Sequence, residues 1–448
     1  MKSLEIFKEI MNMKDYNMEL TCEEKEILEG KKGETMRKAL KSVVLYGETF
    51  GAKRLLDIDG PVHLVTSFGM TGLDTVFDMM DEIIKAGIRT KEPFTVDPRP
   101  IDYDNVECNE IQKKVFKGLY GNQGRYESQL KKLGLKDNNA FTCTCYMPQV
   151  GNIPRKGQII CWAESSAVVF ANSVIGARTN RNSGIIELLC GIVGKVPEFG
   201  LVTDEGRRAK WIIELKTSKL PNAQVLGSAI GMKVVEDVPY ITGLDKFLGK
   251  GMNSSTMDYL KDMGAASASN GAVGLYHVEN ITPEAVEKGR DLLNKGYSTY
   301  VIDDQELKNI IESYPILWKD MNAKPSICFI GCPHLSIEQI YDWSDRIYRA
   351  LDKRGKSKLK LNTVLSAAPD VISKFREDKR AYKKLTDMGA HLTYICPLMY
   401  MSNSECSKQP VITNSNKLRT YSRARFLLDE DVLHAIVTGD IKEAEKFD

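Results

Sequence analysis

A dominant charge is the first thing this sequence lacks. Sixty-two lysines and arginines stand against 60 aspartates and glutamates, a formal net charge of +2. That balance gives no basis for a nucleic-acid or membrane partner. The stretch MKSLEIFKEIMNMKDYNMEL is charged throughout and holds no apolar signal core, so a cytoplasmic protein is expected. The longest apolar region, Gln158 to Ala177, is interrupted by Glu164, Ser165, Ser166 and Asn172 and is no membrane span. Neither a CxxC nor an HxxxH pair is present, so metal-ligand spacing is weak. Gly118, Gly121 and Gly124 do not have the GxGxxG spacing and follow no strand pattern, so a dinucleotide fold is not supported. Gly243 to Gly251 is one residue too long for a phosphate loop and has no Ser or Thr after its lysine.

What is there is a chain of 448 residues, 42% hydrophobic and 27% charged, long enough for two or three packed domains. Thr21 and Glu24 form a capping-box spacing in a region, residues 3–51, that reads as helices. Leu55 to Thr66 reads as one buried strand, followed by the turn Phe68-Gly69-Met70-Thr71-Gly72 and a helix to about Ala86. Residues 91–110 read as irregular, and Gly118 to Leu133 as helical. Gln158 to Trp162 reads as a strand and Ser165 to Ile175 as a helix. From Arg208 onward, strands near 211–216, 272–277, 298–302, 326–330, 361–365, 391–396 and 411–413 alternate with helices, the last over 431–446. The alternation predicts an α/β protein of packed α/β/α subdomains with mostly parallel sheets. A division into 1–135, 136–290 and 291–448 is expected.

The chemistry gathers at predicted strand ends, the edge at which open parallel sheets bind ligands. In Ala323 to Ser336, AKPSICFIGCPHLS, an apolar run breaks at Gly331-Cys332-Pro333-His334, and Ser336 with Gln339 signals a helix start. This places Cys332 in a tight turn facing a helix N-terminus, which favours a thiolate. FTCTCYMP (141–148) and LTYICP (392–397) repeat the arrangement. Most of the ten cysteines read as small buried hydrophobes or isolated thiols, but Cys143, Cys332 and Cys396 sit beside proline, glycine or hydroxyl residues. Three thiolates could hold zinc or an iron–sulfur cluster. A cluster on three cysteines leaves one iron open to act as a Lewis acid on a substrate hydroxyl.

Arg178-Thr179-Asn180-Arg181 is a candidate anion-binding loop, since an arginine fork takes a carboxylate or phosphate bidentately; the plainer reading is a solvated loop. Thr413-Asn414-Ser415-Asn416-Lys417 is a strand end, a polar turn and a lysine at a helix start, with N-capping as its plainer reading. His63 and His334 are the histidines at strand ends.

Several long motifs, in order, resemble aconitase X, specifically its large, cluster-binding subunit. They are GETFGAKRLLDIDGPVH (47–63), TCTCYMPQVGNIP (142–154), WAESSAVVFANSVIGARTNRNSG (162–184), FIGCPHLS (329–336), ICP (395–397) and TNSNK (413–417). The resemblance implies an aconitase-like fold, an iron–sulfur cluster (2Fe-2S or 4Fe-4S) on Cys143, Cys332 and Cys396, and a hydro-lyase reaction. Cys145 stands where the family has proline, and Thr420-Tyr421 where it has a histidine–tyrosine pair. Fused members carry an additional swivelling domain, for which these residues leave no room. The resemblance therefore implies a separate small subunit, which would supply a catalytic serine.

The resulting expectation is a dehydratase acting on a small hydroxy acid. The catalytic candidates are His63, Ser165, Ser166, His334 and Lys417. The substrate-binding candidates are Gly72, Arg178, Thr179, Asn180, Thr413, Asn414 and Ser415. The expected reaction converts cis-3-hydroxy-L-proline to 1-pyrroline-2-carboxylate; mevalonate 5-phosphate is the alternative substrate. A non-catalytic iron-sensing or RNA-binding relative is the alternative of a different class.

Overall fold

Four sheets carry the strands of the computed structural model, which describes residues 16–441. The largest is a five-stranded parallel sheet in the order Ala390–Thr393, Asn362–Ala367, Ile327–Leu335, Val411–Thr413, Arg425–Phe426. Its middle strand, Ile327–Leu335, is buried at every position, as an all-apolar run covered on both faces of a parallel sheet must be. Ser336 then starts the helix Ile337–Asp352 with a complete capping box to Gln339. A three-stranded parallel sheet runs Phe94–Val96, Val62–Leu64, Cys161–Trp162. A four-stranded parallel sheet runs His277–Val278, Pro239–Thr242, Ala209–Leu215, Leu293–Ile302. Among the described residues the one antiparallel pair is Leu55–Asp57 with Lys195–Pro197. The α/β class with parallel sheets is therefore as the alternation of elements implied.

Several boundaries differ from the sequence reading. Leu55 to Thr66 is two strands in two sheets, because Asp59-Gly60-Pro61 breaks the run. The proline-rich region 91–110 contains the edge strand Phe94–Val96. The helix from Ser165 ends at Phe170 and relaxes into a π turn, Ala171–Ile175, closed by Gly176 at φ 81°. Cys332 is not beyond its strand: the ladder shifts register and resumes at Leu335 opposite Ala367. Gly331 permits this with φ +99°, and a Cβ there would fall 2.4 Å from the Ser366 carbonyl oxygen. The capping box at Thr21–Glu24 is present, on the helix Cys22–Leu28. The parts of the first and last expected helices over residues 3–15 and 442–446 lie outside the described residues.

The apolar core has two large bodies. One joins Met18 and the helix Glu34–Thr49 to Val62, Leu64, Phe94, Phe141 and Leu188. The other runs from Cys145 through Trp162, Ile213, Leu260 and Ile330 to Val437. A smaller cluster, holding Phe116, Phe329, Cys332, Ile395 and Tyr400, lies beneath the carboxyl ends of the five-stranded sheet. Among the described residues, no helix is long and apolar enough to cross a membrane.

Candidate active site

The carboxyl ends of two parallel sheets open onto one cavity of about 280 Å³. From the three-stranded sheet come Val65, Asp97, Ala163 and Glu164, each one or two residues past a strand. The five-stranded sheet contributes Gly331, Cys332 and His334 from its middle strand, and Cys396 and Lys417 from beyond Ala390–Thr393 and Val411–Thr413.

Cys143, Cys332 and Cys396 all line this cavity. The Cys143 sulfur accepts the His334 backbone N–H at 3.4 Å. The Cys332 carbonyl accepts the Ser415 hydroxyl. Cys396 stands before Pro397 at the start of the short helix Pro397–Met401, and its N–H donates to the Arg99 carbonyl at 2.9 Å. All ten cysteines are free. Burial pushes all three cavity thiols up, Cys396 to about 12, with the Lys417 ammonium opposing. Such thiols become ligands only when a metal supplies positive charge. Three of them on one cavity beside a cation form a donor set that fits an iron–sulfur cluster. Among the described residues no three histidine, cysteine or carboxylate side chains close around a single-ion site.

Facing the thiols is a buried ion pair. Glu164 caps the helix Ser165–Phe170, its Oε2 accepting the Ala167 N–H at 2.7 Å and the Ser166 hydroxyl at 2.6 Å. Its Oε1 accepts the Ser165 hydroxyl at 3.2 Å and the Lys417 ammonium. Lys417 also donates to the Ser166 Oγ at 3.2 Å. Burial alone would raise the Glu164 carboxyl, but Lys417 outweighs it and holds the group at about 2. Burial alone would lower Lys417, yet Glu164 and the neighbouring thiols push it well above the usual lysine range. Both groups are therefore ionised throughout the neutral range.

His334 is bonded at both ring nitrogens. Its Nε2 lies 3.0 Å from the Ile395 carbonyl and must donate; its Nδ1, 3.0 Å from the Thr142 hydroxyl, must then accept. Burial lowers its pKa to about 4. It is a neutral strut between the segments bearing Cys143, Cys332 and Cys396, with no nitrogen free to move a proton. His63 lies one layer back, its Nδ1 2.9 Å from Thr95 Oγ1 and its Nε2 3.7 Å from Asp97 Oδ1. Burial opposes charge on this ring, Cys145 and Asp97 favour it, and the net shift is upward. Asp97 does line the cavity, and burial lifts its carboxyl to about 6. Neither His63 Nε2 nor Asp97 Oδ1 has a hydrogen-bond partner within normal reach.

The substrate-binding candidates fare differently. Arg178 turns away from the cavity, donating to the Val202 carbonyl at 3.0 Å and pairing with Asp204. Thr179 accepts the Trp162 N–H at 3.3 Å, and Asn180 bridges the Phe199 carbonyl and Leu201 N–H at 2.9 and 2.8 Å. These three brace the loop and do not line the cavity. Arg181, the second arginine of the same anion-binding stretch, does. Thr413 accepts the Ser415 N–H at 3.1 Å, and Asn414 donates to Asp429 at 2.9 Å. Ser415 caps the helix Asn416–Tyr421 and bonds Cys332. All three are scaffold around the site. Gly72 turns the chain with φ +81° and is not among the lining residues, whereas Phe68, four residues earlier, is. Glu164, Asp97 and Tyr421 are polar lining groups that sequence reasoning left out of the site. Glu164 had a signal: it is the charged residue that breaks an apolar region just before a helix. Asp97 had none in its proline-rich surroundings.

An aconitase-like α/β fold, with a thiol-lined cavity at the carboxyl ends of parallel strands, is the class that these features define. Residues 17–205 match the aconitase X first domain and residues 209–312 the aconitase X second domain; the chain belongs to the aconitase X family. The phosphomevalonate dehydratase large subunit of Thermococcus kodakarensis is 35% identical over 353 residues, 78% of this chain and 81% of that protein. Its counterpart from Methanocaldococcus jannaschii is 32% identical over 437 residues, 96% of this chain and 100% of that one. The cis-3-hydroxy-L-proline dehydratase of Pseudomonas aeruginosa is 31% identical over 265 residues, 58% of this chain and 42% of that protein. The crystal structure of Thermococcus kodakaraensis aconitase X in its holo form superposes with a TM-score of 0.75 at 29% identity, covering 94% of this chain and 100% of that chain. These relatives are dehydratases, hydro-lyases by class, in accord with the reaction the motifs implied.

Proposed function

We propose that this chain is the cluster-carrying subunit of a dehydratase that removes water from a small hydroxy acid. The observation that carries the proposal is the meeting of three free thiols, the Lys417–Glu164 pair and Arg181 on one cavity. Cys143, Cys332 and Cys396 would hold the cluster, which when bound supplies a Lewis acid for the leaving hydroxyl. Arg181 holds the substrate carboxylate. Lys417, fixed by Glu164 and Ser166, keeps positive charge beside the thiols. Phe68, Leu398 and Met399 give the cavity apolar walls that exclude water. The family relatives named as large subunits support a small-subunit partner, which would bring the base that removes the proton α to the carboxylate.

Charge balance supports cis-3-hydroxy-L-proline as substrate. Lys417 is neutralised by Glu164, which leaves Arg181 and Asp97 as the other charged side chains of the lining. One cation and one carboxylate suit a zwitterion with a carboxylate and a ring ammonium. Mevalonate 5-phosphate is the second reading, favoured by the near full-length match to phosphomevalonate dehydratase large subunits.

The test is an anaerobic dehydration assay of this chain co-produced with a candidate small subunit, offering both acids, with each subunit alone as control. Turnover of one acid only by the pair is the expected result. Iron and sulfide present with neither acid consumed would overturn both substrates. Arg181→Ala is expected to raise KM about 10- to 100-fold with a smaller change in kcat, the scale of one lost charged hydrogen bond. An unchanged KM would remove Arg181 from substrate binding.

A further inference from the structure

A lysine ammonium is buried outside the cavity, and the dehydration described above does not use it. Lys261 lies on the helix Ser254–Asn270, in the part of the chain that matches the aconitase X second domain, and is 1% exposed. Its Nζ donates to the His334 carbonyl at 3.0 Å and to the Gln339 Oε1. Asp262 Oδ1 stands 3.6 Å away, beyond hydrogen-bond reach. Taking an ammonium out of water is costly unless its protons are used. Here both bonds go to the segment that leaves Cys332.

The helix that starts at Ser336 does not need this cation, because Ser336 and Gln339 complete their capping box between themselves. The same turn of Ser254–Asn270 adds further bonds to that box. Asp258 Oδ2 accepts the Ser336 hydroxyl at 2.7 Å, and Asp262 Oδ2 accepts the Gln339 side-chain amide at 2.9 Å. Residues 258, 261 and 262 share one helix face by their spacing, so a single turn of the second domain grips the segment beyond Cys332. Farther along the helix, the Ala268 carbonyl accepts Arg181 NH1 at 3.1 Å, and Asn270 Oδ1 accepts the guanidinium of Arg419, two residues from Lys417. No residue of this helix lines the cavity; it acts on the site through other residues. At His334 the grip reaches the thiols. The ring anchors the side chain to Thr142 and Ile395. Lys261 holds the carbonyl on one side of the His334 Cα, and the backbone N–H on the other side donates to the Cys143 sulfur at 3.4 Å. A hydrogen bond onto a ligating sulfur favours the more negative, reduced state of the cluster it holds and so raises its reduction potential.

We propose that Lys261 is a positioning residue that aims the His334 N–H at Cys143 and so tunes that sulfur as a cluster ligand. The proposal rests on the reading of Cys143 as a ligand, but the aiming can be measured with or without a cluster and without substrate. Lys261→Met keeps the length and apolar stem of the side chain and removes its donors. In the full chain as purified, hydrogen–deuterium exchange of peptides covering residues 331–337 should rise about 10- to 100-fold, the scale of one lost charged hydrogen bond. Exchange elsewhere in the five-stranded sheet should hold; a role in folding alone would raise both together. In the loaded chain, iron and sulfide should remain, and the midpoint potential, read by redox titration of the visible absorbance, should fall. Asp258→Asn, which loosens Ser336 without touching the His334 carbonyl, should leave the potential at the parent value. If Lys261→Met does not fold, the double variant Lys261→Met with Asp262→Asn, which also removes the carboxylate left beside the site, serves in its place. Exchange of 331–337 at the parent rate, or raised equally across the sheet, overturns the positioning role whether or not a cluster is present. Locally raised exchange with an unchanged potential overturns the link to Cys143. A parent chain that takes up no iron or sulfide overturns the cluster reading itself.

Discussion

Cys332→Ser is expected to give a folded chain without stoichiometric iron and sulfide and without dehydratase activity. Serine occupies nearly the same volume as cysteine. The Cys332 backbone is held independently of its sulfur, by the Ser415 hydroxyl on its carbonyl and by the five-stranded sheet around it. The folding cost is that of burying a hydroxyl in a site 8% exposed, about 1–3 kcal/mol. The chemical cost is larger. A neutral hydroxyl is a poor ligand where a thiolate is needed, and losing the Lewis acid should lower the rate by about 10³-fold or more. Cys145→Ala is the control, since Cys145 is fully buried but does not line the cavity; it should keep both cluster and activity. Iron and sulfide analysis with visible absorbance reads the first effect, and the anaerobic assay reads the second. A Cys332→Ser protein with the parent spectrum and turnover would dismiss the cluster assignment.

Lys417→Met should be the most destabilising single change in the site. It leaves Glu164 buried with its hydroxyl and amide donors but no cation, and breaking a buried pair from one side costs about 3–5 kcal/mol. Adding Glu164→Gln should restore most of that stability without restoring activity, because the pair's charge beside the thiols is gone. Denaturant melts of both variants against the parent check this; a Lys417→Met protein as stable as the parent would show that the pair is not sealed from water. The pH dependence has a definite sign. Glu164 is held at about 2, below its usual value. Its contribution is therefore full above the ordinary glutamate range and is lost as pH falls towards 2. The parent should lose stability on acidification through this window, and the double variant should lose less.

The sequence pattern was strongest where a local rule acted alone. The Ser336–Gln339 capping box needs only two side chains at the right spacing, and it is there. Strand ends marked by proline or glycine led to three cysteines that share a cavity, because parallel sheets present their carboxyl ends together. The pattern failed where the answer depended on which way a loop turns. Arg178 and Arg181 stand three residues apart in the same polar run. The Ile159–Arg178 bridge and the Asp204 pair fix the first outward, which leaves the second to reach the cavity. Asp97 depends on an edge strand of three residues, Phe94–Val96, that prolines on either side disguise. At Ser415 the sequence pattern predicts a substrate contact, because capping and catalysis use the same residue types. Its hydroxyl serves the Cys332 carbonyl instead.

The cavity draws on chain segments from Val65 to Tyr421. During synthesis, therefore, Cys143 leaves the ribosome long before Cys396 and Lys417 exist to face it. No nascent intermediate short of the last strand ends can present the full set of ligands. Loading of the proposed cluster would then be an event in the life of the finished chain, and the empty fold would have to persist until that group arrives. His334 is suited to that interval, since it ties together the Cys143, Cys332 and Cys396 segments through its two ring nitrogens and its backbone N–H, with no metal needed.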